Sequence, residues 1–91
     1  MSQRASCTVK IKNRLGLHAR PAMMFVDAAS TAHCEVTVKG NGEEVDGKSI
    51  MQMMMLAATK GVELEIIAVG DDAQATVEML RDLVNSGFGE D

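Results

Sequence analysis

The sequence predicts an α+β open-faced sandwich, a single sheet with one wet face and one face covered by helices. Three observations point to it. Segments around Cys7–Ile11, Cys34–Val38 and Val62–Ala68 alternate apolar and polar residues, the two-residue period of half-buried strands. Segments beginning near His18, Ser49 and Asp71 carry helical spacing or helix-capping residues. The two kinds interleave as β-α-β-β-α-β-α, and strands that alternate on one side only need one solvated face.

Each element has its own signal. Cys7, Val9 and Ile11 alternate with Thr8, Lys10 and Lys12 to make the first strand, and Asn13 to Gly16 form a loop. Ala22, Phe25, Val26 and Ala29 then make one apolar stripe on a helix running from Ala19 to about Ser30. Pro21 belongs in its first turn, where a missing N–H costs nothing, so the helix starts at about His18. Cys34, Val36 and Val38 mark the second strand. Gly40-Asn41-Gly42 is a turn, and Glu43 to Asp46 return as a short third strand. Ser49-Ile50-Met51-Gln52 fits a capping box and predicts a short helix from Ser49, ending before Gly61. Val62, Leu64, Ile66 and Ala68 give the fourth strand. Asp71, with Gln74 completing a box, caps a last helix whose buried face is Ala73, Val77, Leu80 and Val84, and Gly87 ends it. The pattern does not give strand order.

Composition narrows the function. With 91 residues the chain is one domain, residues 1–91, without room for a second core. The net charge of −4 argues against nucleic acid or an anionic membrane as partner, since both select basic faces. No apolar run approaches the roughly 20 residues of a bilayer span. Met1 to Asn13 lacks the apolar core of a secretory signal, so a cytoplasmic protein is expected. Cys7 and Cys34 lack metal-ligand spacing and read as reduced thiols in apolar-alternating segments. No metal or cofactor is implied.

The segment that carries chemistry is Asn13-Arg14-Leu15-Gly16-Leu17-His18-Ala19-Arg20-Pro21-Ala22. It sets a histidine at a helix N-terminus, where unpaired N–H groups and the positive end of the helix dipole suit an anion such as phosphate. A neutral imidazole has one ring nitrogen free to attack a phosphoryl donor. Arg20, two residues on, offers a planar fork for phosphoryl oxygens, and Gly16 lets the preceding loop turn tightly. A histidine at a helix start is more commonly a plain surface or capping residue, so this physical reading alone is only suggestive.

The stretch Gly16-Leu17-His18-Ala19-Arg20-Pro21-Ala22 resembles the active-site signature of the HPr family, the phosphocarriers of the bacterial phosphotransferase system. Gly47-Lys48-Ser49-Ile50-Met51 resembles that family's regulatory-serine region, at the family's distance from the histidine. The likeness runs from Thr8 to about Gly87. It implies a four-stranded antiparallel sheet with three helices on one face. It further implies that His18 is phosphorylated on Nδ1 by Enzyme I, with phosphoenolpyruvate the ultimate donor, and passes the group to EIIA-type proteins. Arg20 would stabilise the phosphoryl group, and Gly16 and the N–H groups of Ala19 and Arg20 would cradle it. Such a protein is a stoichiometric carrier, expected to be monomeric, rather than an enzyme.

Ser49 has two compatible readings. It is a helix N-cap, worth about 1 kcal/mol. By resemblance it is also a target of an HPr kinase/phosphorylase, a kinase found in some bacteria, and a phosphoserine at a helix N-terminus is tolerated. Ile50, Met51 and Met54 occupy positions that form an exposed apolar partner-binding patch in the family, while Met53 and Leu56 should face inward. Core packing of all these methionines is the competing reading. His33 carries no motif and reads as a surface residue, and the scattered acidic residues read as solvated faces. Leu15 stands where some family members have a polar residue. The tail Asn85 to Asp91 resembles the nitrogen-related branch, NPr, whereas Gly47-Lys48-Ser49 resembles the branch controlled by serine phosphorylation. Two other functions therefore stay open: a regulatory binding module working through Ser49 and the Met51 patch, and a ligand-binding module with a true pocket and an incidental histidine.

Overall fold

The computed structural model describes residues 3–90. Four strands, β1 (Arg4–Lys10), β2 (Cys34–Gly40), β3 (Glu43–Asp46) and β4 (Glu63–Gly70), pair antiparallel in the order β1-β4-β2-β3. The helices are α1 (Ala19–Ser30), α2 (Ile50–Met55) and α3 (Ala73–Asn85), followed by a short 3₁₀ turn, Gly87–Gly89. The element order and the antiparallel sheet are those expected.

Register explains the core. Cys7, Ile66, Val38 and Val45 are successive cross-strand partners, so the alternating apolar residues of all four strands align in one row on the helix side. Phe25 and Ala22 of α1, Met53 of α2 and Val77, Leu80 and Val84 of α3 close over that face, each fully or almost fully buried. Two apolar residues interrupt the wet face, half-buried Val69 and buried Ile67. Ile67 on the central strand β4 lies between Ser6 and Thr37 and is buried by its neighbours. Cys34 is buried and Cys7 half-buried, both as free thiols, and burial raises the Cys7 pKa while Arg81 works against the shift.

Three local expectations need correction. The residue capping α3 is Asp72, not Asp71; it sits in the left-handed region at φ 61° and its side chain makes no cap bond. Gln74 bonds Glu78 instead of completing a box. A capping aspartate must have extended backbone to aim its oxygen at the helix N–H groups, and the left-handed conformation denies Asp72 that role. At α2 only half of the predicted box forms. Ser49 Oγ accepts from Gln52 N–H at 3.3 Å, but Gln52 Oε1 accepts from the N–H of Asp46 rather than of Ser49, whose own N–H is taken by Asp46 O. Val62 lies just outside β4, its N–H turned onto Thr59 O.

Candidate functional site

The loop between β1 and α1 is tied to the 58–62 segment at two places and closed on itself by a third bond. Ile11 exchanges backbone bonds with the 61–62 turn, Gly16 N–H donates to Asn13 O, and Leu17 N–H donates to Ala58 O at 2.8 Å. Gly16 is required at its position. Its φ is +71°, and a Cβ there would come within 2.5 Å of Ala58 O and 2.8 Å of Thr59 Cα. Its contribution to the site is this close approach, since its N–H is already used in the turn. Buried Leu17 anchors the loop end, and the next residue, His18, caps α1.

His18 has extended backbone and its side chain makes no cap bond, so the ring is free to face outward from the helix start. Pro21 has no N–H to satisfy. Ala22 N–H donates to His18 O, and the N–H groups of Ala19 and Arg20 have no protein acceptor among the described residues. Two aligned donors with the helix dipole behind them make a place for an anion beside the ring.

A residue that the sequence did not mark completes the site. The carboxylate of Glu90 lies 2.9 Å from His18 Nε2, 3.0 Å from Arg20 Nη1 and 3.1 Å from Asn13 Nδ2. Arg20 Nη1 also reaches Phe88 O at 3.3 Å, leaving Nη2 and Nε without a protein acceptor among the described residues. The tail is held there by Phe88, wholly buried, with Glu90 N–H closing onto Gly87 O. An aromatic side chain between two glycines just beyond a helix end was the signal available for this return, in a chain with only two aromatics. Nothing marked Asn13, a 1% exposed loop residue whose Nδ2 bonds both Gly16 O and Glu90.

The hydrogen bond from His18 holds the Glu90 carboxyl below the usual carboxylate range; desolvation opposes this, and Arg20 and Asn13 add to it. A depressed folded value means that the contact is complete above the ordinary glutamate pKa of about 4.3 and is lost as pH falls through the lower folded value. A carboxyl-carbon NMR titration should therefore give Glu90 a midpoint below that of a free glutamate. A midpoint at or above it would show that the tail does not rest on His18 in solution.

The other predicted residues divide. Ser49 caps α2 and is half-buried, as is Ile50, while Met51 is 78% and Met54 47% exposed, against 0% for Met53 and 1% for Leu56. Met55, Leu15 and Met23 are exposed as well, which the helical spacing did not single out. His33 is exposed. Three depressions in the surface of the described residues lie at the β2–β3 edge, at the β2–β4 end and beside α3, and none of these three is lined by His18. No helix among the described residues is long and apolar enough to cross a membrane.

A family model described as the phosphorylation site of the HPr component of the phosphotransferase system matches residues 5–86. The phosphocarrier protein HPr of Neisseria meningitidis serogroup A is 46% identical over 83 residues, covering 91% of this chain and 93% of that protein. The phosphocarrier protein NPr of Proteus mirabilis is 40% identical over 84 residues, 91% of this chain and 93% of its own. A crystal structure of HPr from Thermoanaerobacter tengcongensis superposes with a TM-score of 0.91 at 40% identity, covering 96% of this chain and 98% of that one.

Proposed function

This chain belongs to the HPr family of phosphocarriers of the bacterial phosphotransferase system, and on that premise we propose that His18 accepts a phosphoryl group from Enzyme I and passes it to EIIA-type proteins. Phosphoenolpyruvate is the ultimate donor, and the protein works in the cytoplasm as a monomer. The observation that carries this reading is the pairing of His18 with donors that have no protein acceptor among the described residues: the N–H groups of Ala19 and Arg20, and the Nη2 and Nε of Arg20. A phosphoryl group on the ring would take up these donors in charge-assisted bonds. The shallow site suits a carrier, because two proteins must reach the ring in turn and leave quickly.

The test is incubation with Enzyme I and phosphoenolpyruvate, followed by intact mass. One added phosphoryl group, lost in mild acid, is expected. No added mass, with Enzyme I itself phosphorylated, would remove the reading.

A second reading is favoured by the exposed methionines that follow Ser49. Met51, Met54 and Met55 give a soft, adaptable surface, suited to several partners. In this reading an HPr kinase/phosphorylase modifies Ser49, and control of carbon or nitrogen use runs through the patch without sugar transport. The added charge would act on partners by repulsion and desolvation. Ser49→Asp is expected to weaken binding to Enzyme I with little loss of stability, since Asp caps a helix as well as Ser. Calorimetric titration checks it, and unchanged affinity would count against a role for this surface.

A further inference from the structure

We propose that Glu90 is a positioning residue for His18: its carboxylate keeps the ring proton on Nε2, so that Nδ1 presents the lone pair, and balances the ring's charge once Nδ1 carries phosphorus. This rests on His18 being the phosphoryl acceptor. An ionised carboxylate can only accept, so at 2.9 Å from Glu90 Oε1 it is His18 Nε2 that bears the hydrogen. In the neutral ring the lone pair then lies on Nδ1, which has no protein partner among the described residues.

The surroundings show that the placement is built. Glu90 accepts from three side chains on the β1–α1 loop and the first turn of α1. The tail that carries it crosses Phe88 at φ 57°, a left-handed conformation unusual for a non-glycine residue, with the Phe88 ring wholly buried. Asn13 supplies the second observation. Its Nδ2 faces two oxygens, Gly16 O and Glu90 Oε1, while its buried Oδ1 has no partner among the described residues. Turning the amide over would satisfy neither oxygen, so one orphaned acceptor is tolerated in order to hold Glu90.

The chemistry balances without moving a proton. The Nδ1 lone pair forms the bond to phosphorus as the bond between phosphorus and the donor's leaving atom breaks, its electron pair departing with the donor. Nε2 keeps its hydrogen, so the phosphorylated ring is cationic and lies against the Glu90 anion. When the acceptor's nucleophile attacks phosphorus, the Nδ1–P electron pair returns to the ring and neutral imidazole is restored. A carboxylate that orients an imidazole and stabilises its cationic form is established chemistry in histidine-based catalysis.

The experiment reads the ring before any phosphoryl donor is added. Long-range nitrogen–proton NMR of the unmodified protein should show His18 as the Nε2–H tautomer alone. Glu90→Ala should give a mixture of tautomers and slow phosphoryl acceptance from Enzyme I by about tenfold, the usual order of effect for losing a functional histidine's partner. An unchanged backbone spectrum would show that Phe88 still holds the tail. Glu90→Gln, whose amide oxygen still accepts from Nε2, should keep the single tautomer and fall between the two in rate. A Glu90→Ala protein that keeps the single tautomer, or loses it and is phosphorylated at the unmodified rate, overturns the assignment. Failure of the carrier reading would look different: the unmodified protein would show the single tautomer and accept no phosphoryl group.

Discussion

Phosphoryl acceptance is expected to vanish in His18→Ala while the domain stays folded. His33 is the only other imidazole in the sequence, and it lies exposed in the segment between α1 and β2, away from the start of α1. Among the described residues, the first turn of α1 offers Ala19, Arg20, Pro21 and Ala22, none of which is a nucleophile. The fold should survive because His18 contributes little to it. Its side chain is 38% exposed, makes no cap bond, and contacts Glu90 at the surface. The extended backbone at φ −78° is open to alanine. The stability change should stay within about 1 kcal/mol. Intact mass after incubation with Enzyme I and phosphoenolpyruvate is the readout. A labelled, folded His18→Ala protein would move the acceptor elsewhere.

The largest effect on stability is expected from Phe88→Ala. The ring is wholly buried with Val84, Leu80 and Phe25 in one cluster, and it lies in the last turn of the described chain. Truncating a buried phenylalanine costs about 3–5 kcal/mol. A small domain holds only about 5–15 kcal/mol in all. Each kcal/mol lowers the melting temperature of a domain this size by about 4–8 °C. Calorimetry would register a large drop, and one worth less than about 1 kcal/mol would mean that the tail is not seated in solution. Because Phe88 O and the Glu90 carboxylate approach Arg20 together, losing the ring should also free the tail from the site. The His18 tautomer signal would then respond to Phe88→Ala as it does to Glu90→Ala, but only Phe88→Ala would carry the stability loss.

Much of this molecule was legible locally. The β1, β2 and β4 segments announced themselves by alternation, and α1 by its apolar stripe, because those periods report which face is buried whatever the partner. The start of α1 at His18 followed from Pro21 and the run behind it. The inward turn of Met53 and Leu56 followed from helical spacing alone. Where a signal depended on backbone angles, it was less dependable. Asp71 reads as a cap by type, but the N-cap position falls to Asp72, whose φ of 61° leaves its side chain without a cap bond. The Gln52 side chain had two N–H groups within reach, and only the position of the β3 end sent it to Asp46.

By itself the sequence determined the order of elements, the seat of His18 at a helix start with Arg20 beside it, the cap at Ser49, and the family. Those depend on neighbours a few residues away, and short-range sterics and hydrogen bonding fix them. Tertiary structure decided the strand order β1-β4-β2-β3, the burial of Ile67 on the wet face, and the pairing of His18 with Glu90 across 72 residues of chain. No periodicity marks one glutamate among many as a partner for an imidazole. That choice is made when Phe88 enters the core and carries the tail back against the first turn of α1, where Phe88 O and the Glu90 carboxylate meet Arg20.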